Sequence, residues 1–309
     1  MPELPEVEVV RVGLDKWVRA RLIESVQVLD PRSVRRHTDG AQDFEETLTG
    51  CTLRSVVRRG KFLWMDLEGL PEPTALVAHL GMSGQLLVED PDAEDEKHLK
   101  VRLSLAERFD APSELRFVDQ RIFGGMFLSP LVLTTDGYPG GAGSSQLLIA
   151  QGAAHIARDV LDPHRDPNDL YLALRKRSTD LKRAILDQGI ISGVGNIYAD
   201  EALWQAGLSG LRNTATMRRP EVTRLDEALV DVMTRALDAG GTSFDSLYVN
   251  VNGASGYFSR SLNAYGREGK TCLRCADNGR ESLIRRDPFM GRSSYTCPVC
   301  QPRPRRSKR

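Results

Sequence analysis

At 309 residues, 40% of them hydrophobic, the chain is long enough for two domains or three small ones and can bury proper cores. No apolar run of roughly 18 residues and no basic-then-apolar leader occur, which excludes a helical membrane protein and places the chain in the cytoplasm rather than outside the cell. Lys plus Arg equals Asp plus Glu at 42 each, so bulk charge favours no partner; its distribution, an acidic stretch at 89–96 against basic clusters at 58–61, 175–177, 182–183 and 303–309, allows a positive groove on a neutral protein.

The chain opens Met1-Pro2-Glu3-Leu4-Pro5-Glu6-Val7-Glu8. A small second residue permits removal of Met1, which leaves a secondary amine at the terminus. An α-amino group titrates near pH ~8, well below a lysine, so part of it is neutral and nucleophilic at physiological pH. Attack of a secondary amine on a sugar C1′ must give a cationic iminium, an electron sink for cleaving neighbouring bonds. Glu3 and Glu6 are the candidate acid–base partners. Taken alone, the same residues read as an ordinary helix start, with Pro5 in the first turn and Val7, Val9, Val10, Val12 and Leu14 behind it.

Residues 7–18 carry a helical apolar stripe. From Leu22 the texture changes to short β-type runs at 23–29, 53–57, 62–67, 75–80, 85–88, 100–105, 114–118 and 126–128, parted by Gly, Pro, Asp and Ser. This is the pattern of a β-sandwich or barrel. It defines a first domain at 1–145, a helix packed on two antiparallel sheets, closed by the Gly/Ser-rich stretch 137–145 and followed by a linker at 146–160.

Helical patterns follow at 167–174, 181–188, 197–206 and 220–237, within a domain at 161–262. Gly193 and Gly195 give a tight double turn before Asn196, which reads as the N-cap of the third helix. A helix N-terminus with free N–H groups is a phosphate seat or, equally, a plain capped corner; Lys182 and Arg183 upstream favour phosphate. The stretch 243–269 mixes aromatics with Asn, Gly and Ser, which suits a loop closing on a polar planar ligand, or a purely structural loop.

Of the five cysteines, Cys51 stands alone and reads as a small buried hydrophobe. Cys272, Cys275, Cys297 and Cys300 form two C-x-x-C pairs parted by 21 residues, the spacing of a ribbon (263–302) holding one structural Zn²⁺ with no open coordination position. Its tip carries Arg285, Arg286 and Arg292, suited to forking phosphate oxygens. The tail 303–309 adds salt-sensitive attraction to polyanions.

Five motifs occur in order: the opening octapeptide, His79-Leu-Gly-Met-Ser-Gly84, Asp119-Gln-Arg-Ile-Phe-Gly124, Ser192-Gly-Val-Gly-Asn-Ile-Tyr-Ala199 and the four cysteines. Together, from residue 2 to residue 301, the chain resembles the formamidopyrimidine-DNA glycosylase family, bacterial enzymes that remove oxidised purines. The resemblance implies an α+β multidomain fold: an N-terminal helix with an antiparallel β-sandwich, a helix–two-turns–helix domain and a four-cysteine zinc ribbon. It implies Pro2 as the nucleophile at C1′ and Glu3 as the acid–base group for opening the sugar. Lys61 would serve β-elimination and phosphate binding, and Arg292 phosphate at the lesion and δ-elimination.

It further implies that Met82, Arg121 and Phe123 fill the space left by an extruded base and hold the orphaned cytosine, although as isolated residues Met82 and Phe123 read as core. His98, Ser178 and Asn196 match DNA contacts. The implied partner is duplex DNA with an oxidised purine opposite cytosine, met by a monomer at the bacterial nucleoid. The chain departs from the family's Asp-Pro-Arg-Arg-Phe-Gly by Gln120 and Ile122, has Ser178 where a basic residue is common, and lengthens one ribbon arm around 277–281. The alternatives are the sister endonuclease VIII type, specific for oxidised pyrimidines and usually opening Met-Pro-Glu-Gly-Pro-Glu, and a non-catalytic lesion-binding relative.

Overall fold

The computed structural model describes residues 2–241 and 261–304. They form two compact units: 2–155 with Gly240 and Gly241, and 156–239 with 261–304. Most of the 243–269 loop, and the tail beyond residue 304, lie outside the described residues.

In the first unit, helix α1 (Leu4–Val18) buries Leu4, Val7, Val10, Leu14 and Val18, a stripe at helical spacing, while Val12 is exposed. Then come β1 (Arg21–Val28), α2 (Gly40–Leu48), β2 (Thr52–Arg59), β3 (Phe62–Glu68), β4 (Thr74–His79), β5 (Gly84–Glu89), β6 (Leu99–Leu105), β7 (Glu114–Asp119), β8 (Gly125–Leu133) and β9 (Leu148–Ala150). All pair antiparallel, in the order β5-β7-β6-β1-β2-β3-β4-β8-β9. The two expected sheets are therefore joined through β1. It pairs with β2 at Arg21 and Leu22 and with β6 from Ile23 onward, with a register shift between Ile23 and Ser25 that bends the strand.

Alternation explains the faces. Along β6, Leu99, Val101, Leu103 and Leu105 are buried and the residues between them are not. One core takes side chains from both halves of the ladder, Leu86, Leu103 and Phe117 together with Val56, Leu63, Leu76 and Met126, and α1 and α2 pack into it. The Gly-rich stretch lies against β2: Ala142 exchanges backbone hydrogen bonds with Arg58 at 2.9 and 3.0 Å, and Cβ atoms on Gly141 or Gly143 would fall 2.2–2.3 Å from β2 carbonyls. The segment read as a linker from residue 146 begins as the edge strand β9, and the first unit runs on to His155.

The second unit contains α3 (Pro167–Arg175), α4 (Leu181–Ile185), α5 (Asn196–Ala206), α6 (Arg219–Asp238), α7 (Leu273–Asp277) and the hairpin β10 (Arg285–Phe289) and β11 (Arg292–Thr296). Helix α5 packs on α6 and on β11. Helix α4 ends at Ile185 rather than at 188, because Gln188 turns its side chain to the backbone: Nε2 donates to Leu186 and Val194 carbonyls, and Oε1 accepts from Gly193. No helix among the described residues is long and apolar enough to cross a membrane.

Candidate functional site

The chain enters α1 through buried residues. Pro2 and Glu3 are both buried, and the Glu6 carboxylate accepts from the Glu3 N–H at 2.9 Å, which fixes the first turn. One turn on, Glu8 accepts from Arg11 at 2.8 Å and from Arg58 Nε at 2.6 Å. Burial alone would raise the Glu8 carboxyl; the two guanidinium groups outweigh it and hold the group below its ordinary range. Arg58 also donates to the Gly60 carbonyl at 3.2 Å. Gly60 and Lys61 form the two-residue turn between β2 and β3, so this bridge ties the head of α1 to the turn that carries half-buried Lys61. Arg58 and Arg59, read as part of a surface basic cluster, are instead buried structural groups.

Met82 and Phe123, which as isolated residues read as core, are exposed, and so is Arg121. His79, just before the Met82 turn, is held neutral: burial, then Arg36 and Arg35, pushes its imidazole down to about 4. Half-buried His98 follows the acidic loop, and its carbonyl accepts from the Asp119 N–H at 3.0 Å. That loop is wrapped around Arg116, which is fully buried on β7 and donates to the carbonyls of Asp90, Ala93 and Glu94 and to the carboxylates of Glu96 and Glu114. Sequence reading missed Arg116. Its only signal is a cation set between Leu115 and Phe117-Val118 in a strand run.

In the second unit, Arg292 stands exposed at the start of β11, after the turn Met290-Gly291. A cleft of about 540 Å³ is lined by Arg177, Ser178, Arg183, Phe289, Met290 and Arg292, so Ser178 and Arg292 face one concavity. Asn196 does not cap α5; Gly195 holds that position, and Asn196 Nδ2 donates to the Ser293 carbonyl at 2.9 Å, beside Arg292. Lys182, read as a phosphate-side cation, is fully buried and paired with Asp200 at 2.6 Å. Asp200 also accepts from Ser294 Oγ and the Tyr295 N–H, which anchors β11 to α5. Burial pushes the Asp200 carboxyl up to about 6, against the pull of Lys182. Arg183 is exposed and Arg303 pairs with Asp287 at 3.0 Å.

The thiols of Cys272, Cys275, Cys297 and Cys300 lie within 4.8 Å of one another. Cys272–Cys300 and Cys275–Cys297 separations are 3.7 and 3.5 Å. These are too long for disulfides. They match a tetrahedron of thiolates, whose edges are about 3.8 Å for metal–sulfur bonds of about 2.3 Å. Trp204 Nε1 and Arg274 Nη2 donate to Cys272 and Cys300 at 3.3 and 3.0 Å, and the Cys300 N–H to Cys297 at 3.4 Å, the outer donors a thiolate set needs. The four cysteines can hold one metal ion.

Residues 1–126 match the family description "Formamidopyrimidine-DNA glycosylase N-terminal domain", and residues 156–247 "Formamidopyrimidine-DNA glycosylase H2TH domain". The formamidopyrimidine-DNA glycosylase of Kineococcus radiotolerans is 54% identical, over 99% of this chain and 99% of its own. Among solved structures, a mutant Lactococcus lactis FPG in complex with Fapy-dG-containing DNA superposes with a TM-score of 0.80 at 28% identity, covering 98% of this chain and 100% of that one. Wild-type Lactococcus lactis FPG in complex with DNA containing an oxidised pyrimidine gives 0.78 at 28%, with the same coverage.

Proposed function

The chain belongs to the formamidopyrimidine-DNA glycosylase family and is a base-excision-repair DNA glycosylase, and on that premise we propose how its residues divide the work on an oxidised purine. The neutral Pro2 amine attacks C1′ of the damaged nucleotide; the bond from C1′ to the base breaks, and the base leaves with the proton that the Pro2 nitrogen gives up. Glu3 protonates the ring oxygen as the sugar opens to the Pro2 iminium. The iminium acidifies C2′, loss of that proton expels the 3′ phosphate, and a second elimination expels the 5′ phosphate. Hydrolysis of the iminium then frees Pro2.

Lys61 assists the first elimination and binds phosphate; Arg292 grips phosphate and assists the second. Met82, Arg121 and Phe123 occupy the duplex where the base was, with Arg121 donating to the orphaned cytosine. His98, Ser178 and Asn196 contact the DNA backbone. The cysteines hold Zn²⁺, which supplies no reactive position and serves to fold the ribbon. The enzyme works as a monomer on nucleoid DNA in the bacterial cytoplasm.

The observation that carries this reading is the head of α1, where Pro2 and Glu3 are buried side by side and Glu8 and Arg58 connect that helix to the Lys61 turn. Strand-scission assays on 8-oxoguanine opposite cytosine, 8-oxoguanine opposite adenine and thymine glycol test it. Fastest release from the cytosine duplex is expected; a preference for thymine glycol transfers the chain to the pyrimidine-specific reading.

A further inference from the structure

The turn with Met82 and the loop with Arg121 and Phe123 come from distant parts of the first unit, yet one buried side chain holds both. Asp119, at the end of β7, is fully buried. Its Oδ1 accepts from the Ser83 hydroxyl at 2.6 Å and the Arg121 N–H at 3.1 Å, and its Oδ2 accepts from the Gly124 N–H at 2.8 Å. Ser83 Oγ in turn accepts from the same Arg121 N–H at 3.1 Å. One carboxylate thus bonds the residue after Met82 and brackets Phe123 on both sides.

The two backbones also touch without a side chain between them. A Cβ on Gly81 would lie 2.6 Å from the Gly124 nitrogen and 2.7 Å from the Phe123 carbonyl carbon. Between Arg121 and Phe123, Ile122 holds φ +55°, a left-handed conformation that a β-branched residue keeps only where its surroundings impose it.

We propose that Asp119 is a positioning residue that locks the Met82 turn and the Arg121–Phe123 loop into one rigid wedge. The inference rests on reading Met82, Arg121 and Phe123 as the groups that enter the duplex. Asp119 touches neither substrate nor the reacting atoms; it sets where three other side chains stand. Separate loops would each have to find the stacked position, whereas a locked pair meets the duplex already ordered.

The test uses the full-length enzyme and two substrates: a duplex with 8-oxoguanine opposite cytosine and a 2-aminopurine reporter beside it, and a single-stranded oligonucleotide with one abasic site, which has no base stack to open. Asp119→Asn keeps the shape but turns one acceptor into a donor facing N–H or O–H groups. It is expected to slow duplex cleavage and the 2-aminopurine transient together by about ten- to a hundredfold. Nicking of the single-stranded abasic site stays at the wild-type rate. Ser83→Ala, which leaves the carboxylate in place, acts in the same direction by about fivefold. Asp119→Asn combined with Phe123→Ala is no slower than the slower single variant.

Wild-type duplex kinetics in Asp119→Asn, or an equal loss on both substrates, overturns the proposal. Should Asp119→Asn not fold, Ser83→Ala decides, and its wild-type behaviour on the duplex is contrary. Met82→Ala and Phe123→Ala separate the two levels. If both cleave the duplex at the wild-type rate, the wedge reading itself falls and this proposal with it; if both are slow while Asp119→Asn is normal, only the coupling falls.

Discussion

Two hairpins of this molecule each carry a cation at a two-residue turn, and they are held in opposite ways. Between β2 and β3, Gly60 takes φ +59° at the first turn position and Lys61 follows. Between β10 and β11, Met290 and Gly291 take φ +48° and +72°, a primed turn, and Arg292 follows. The first hairpin sits in the middle of a nine-stranded ladder, and its own Val56, Val57, Leu63, Trp64 and Met65 are buried. The second has two strands, with Phe289 and Ser294 its buried members. Its support comes from the cysteine cluster with Ile284, Trp204 and Tyr295, and from the Lys182–Asp200 pair. A cation can be placed by a hydrophobic core or by a cysteine cluster able to hold a metal, with a buried ion pair beside it. The two supports fail differently.

Removing the metal should give the largest difference. Metal binding contributes about 10–16 kcal/mol to folding in zinc-finger peptides. Cys297→Ser, or chelation, is expected to release one equivalent of zinc and abolish tight binding to lesion duplexes, while the melting transition of the first unit is unchanged. Metal analysis, fluorescence anisotropy and calorimetry on one sample check this. Intact affinity in the zinc-free protein would mean that the second hairpin is not a grip.

Next in size is Lys182→Met, which leaves Asp200 buried without its cation. Breaking such a pair costs about 3–5 kcal/mol, and replacing both partners by apolar residues restores most of it. Urea unfolding of the second unit should show the loss, and Lys182→Met/Asp200→Leu the recovery. A single variant as stable as wild type would leave the hairpin resting on its cysteines alone.

Acid probes the core-held side. The folded-state value for His79, about 4, lies below its ordinary 6.5, so between these pH values the unfolded chain binds the extra proton. Its contribution is fully present above pH 6.5 and fades as the pH falls toward 4, by up to about 3 kcal/mol. Urea midpoints of the first unit should fall across that window, and His79→Gln should flatten the slope.

The smallest expected effect is that of Arg58→Met, about 2 kcal/mol, because Glu8 keeps Arg11 as a partner. It should also slow nicking through the loosened Lys61 turn, read as kcat at saturating substrate. Unchanged stability and rate would separate the head of α1 from that turn.

What the sequence made legible follows local periodicity. The stripe of α1, the alternation along β6 and the cysteine spacing each repeat within a few residues, and each reappears in the structure. What stayed hidden depends on partners far along the chain. Arg58, Arg116 and Lys182 look like surface cations because nothing adjacent announces Glu8, the 90–96 loop or Asp200. Strand β9 has three residues, too few for a period, and α4 stops early because the Gln188 side chain satisfies the turn beyond it. Asp119 and Ser83 stand inside motifs that were singled out, but their bond joins two motifs, and spacing within either one cannot reveal it.

The most direct measurement is mass spectrometry of the adduct trapped by borohydride on an 8-oxoguanine duplex. The expected product is a single reduced cross-link at Pro2, on a chain from which Met1 has been removed. A cross-link at Lys61 or another lysine, or nicking at the full rate by protein that retains Met1, contradicts the account.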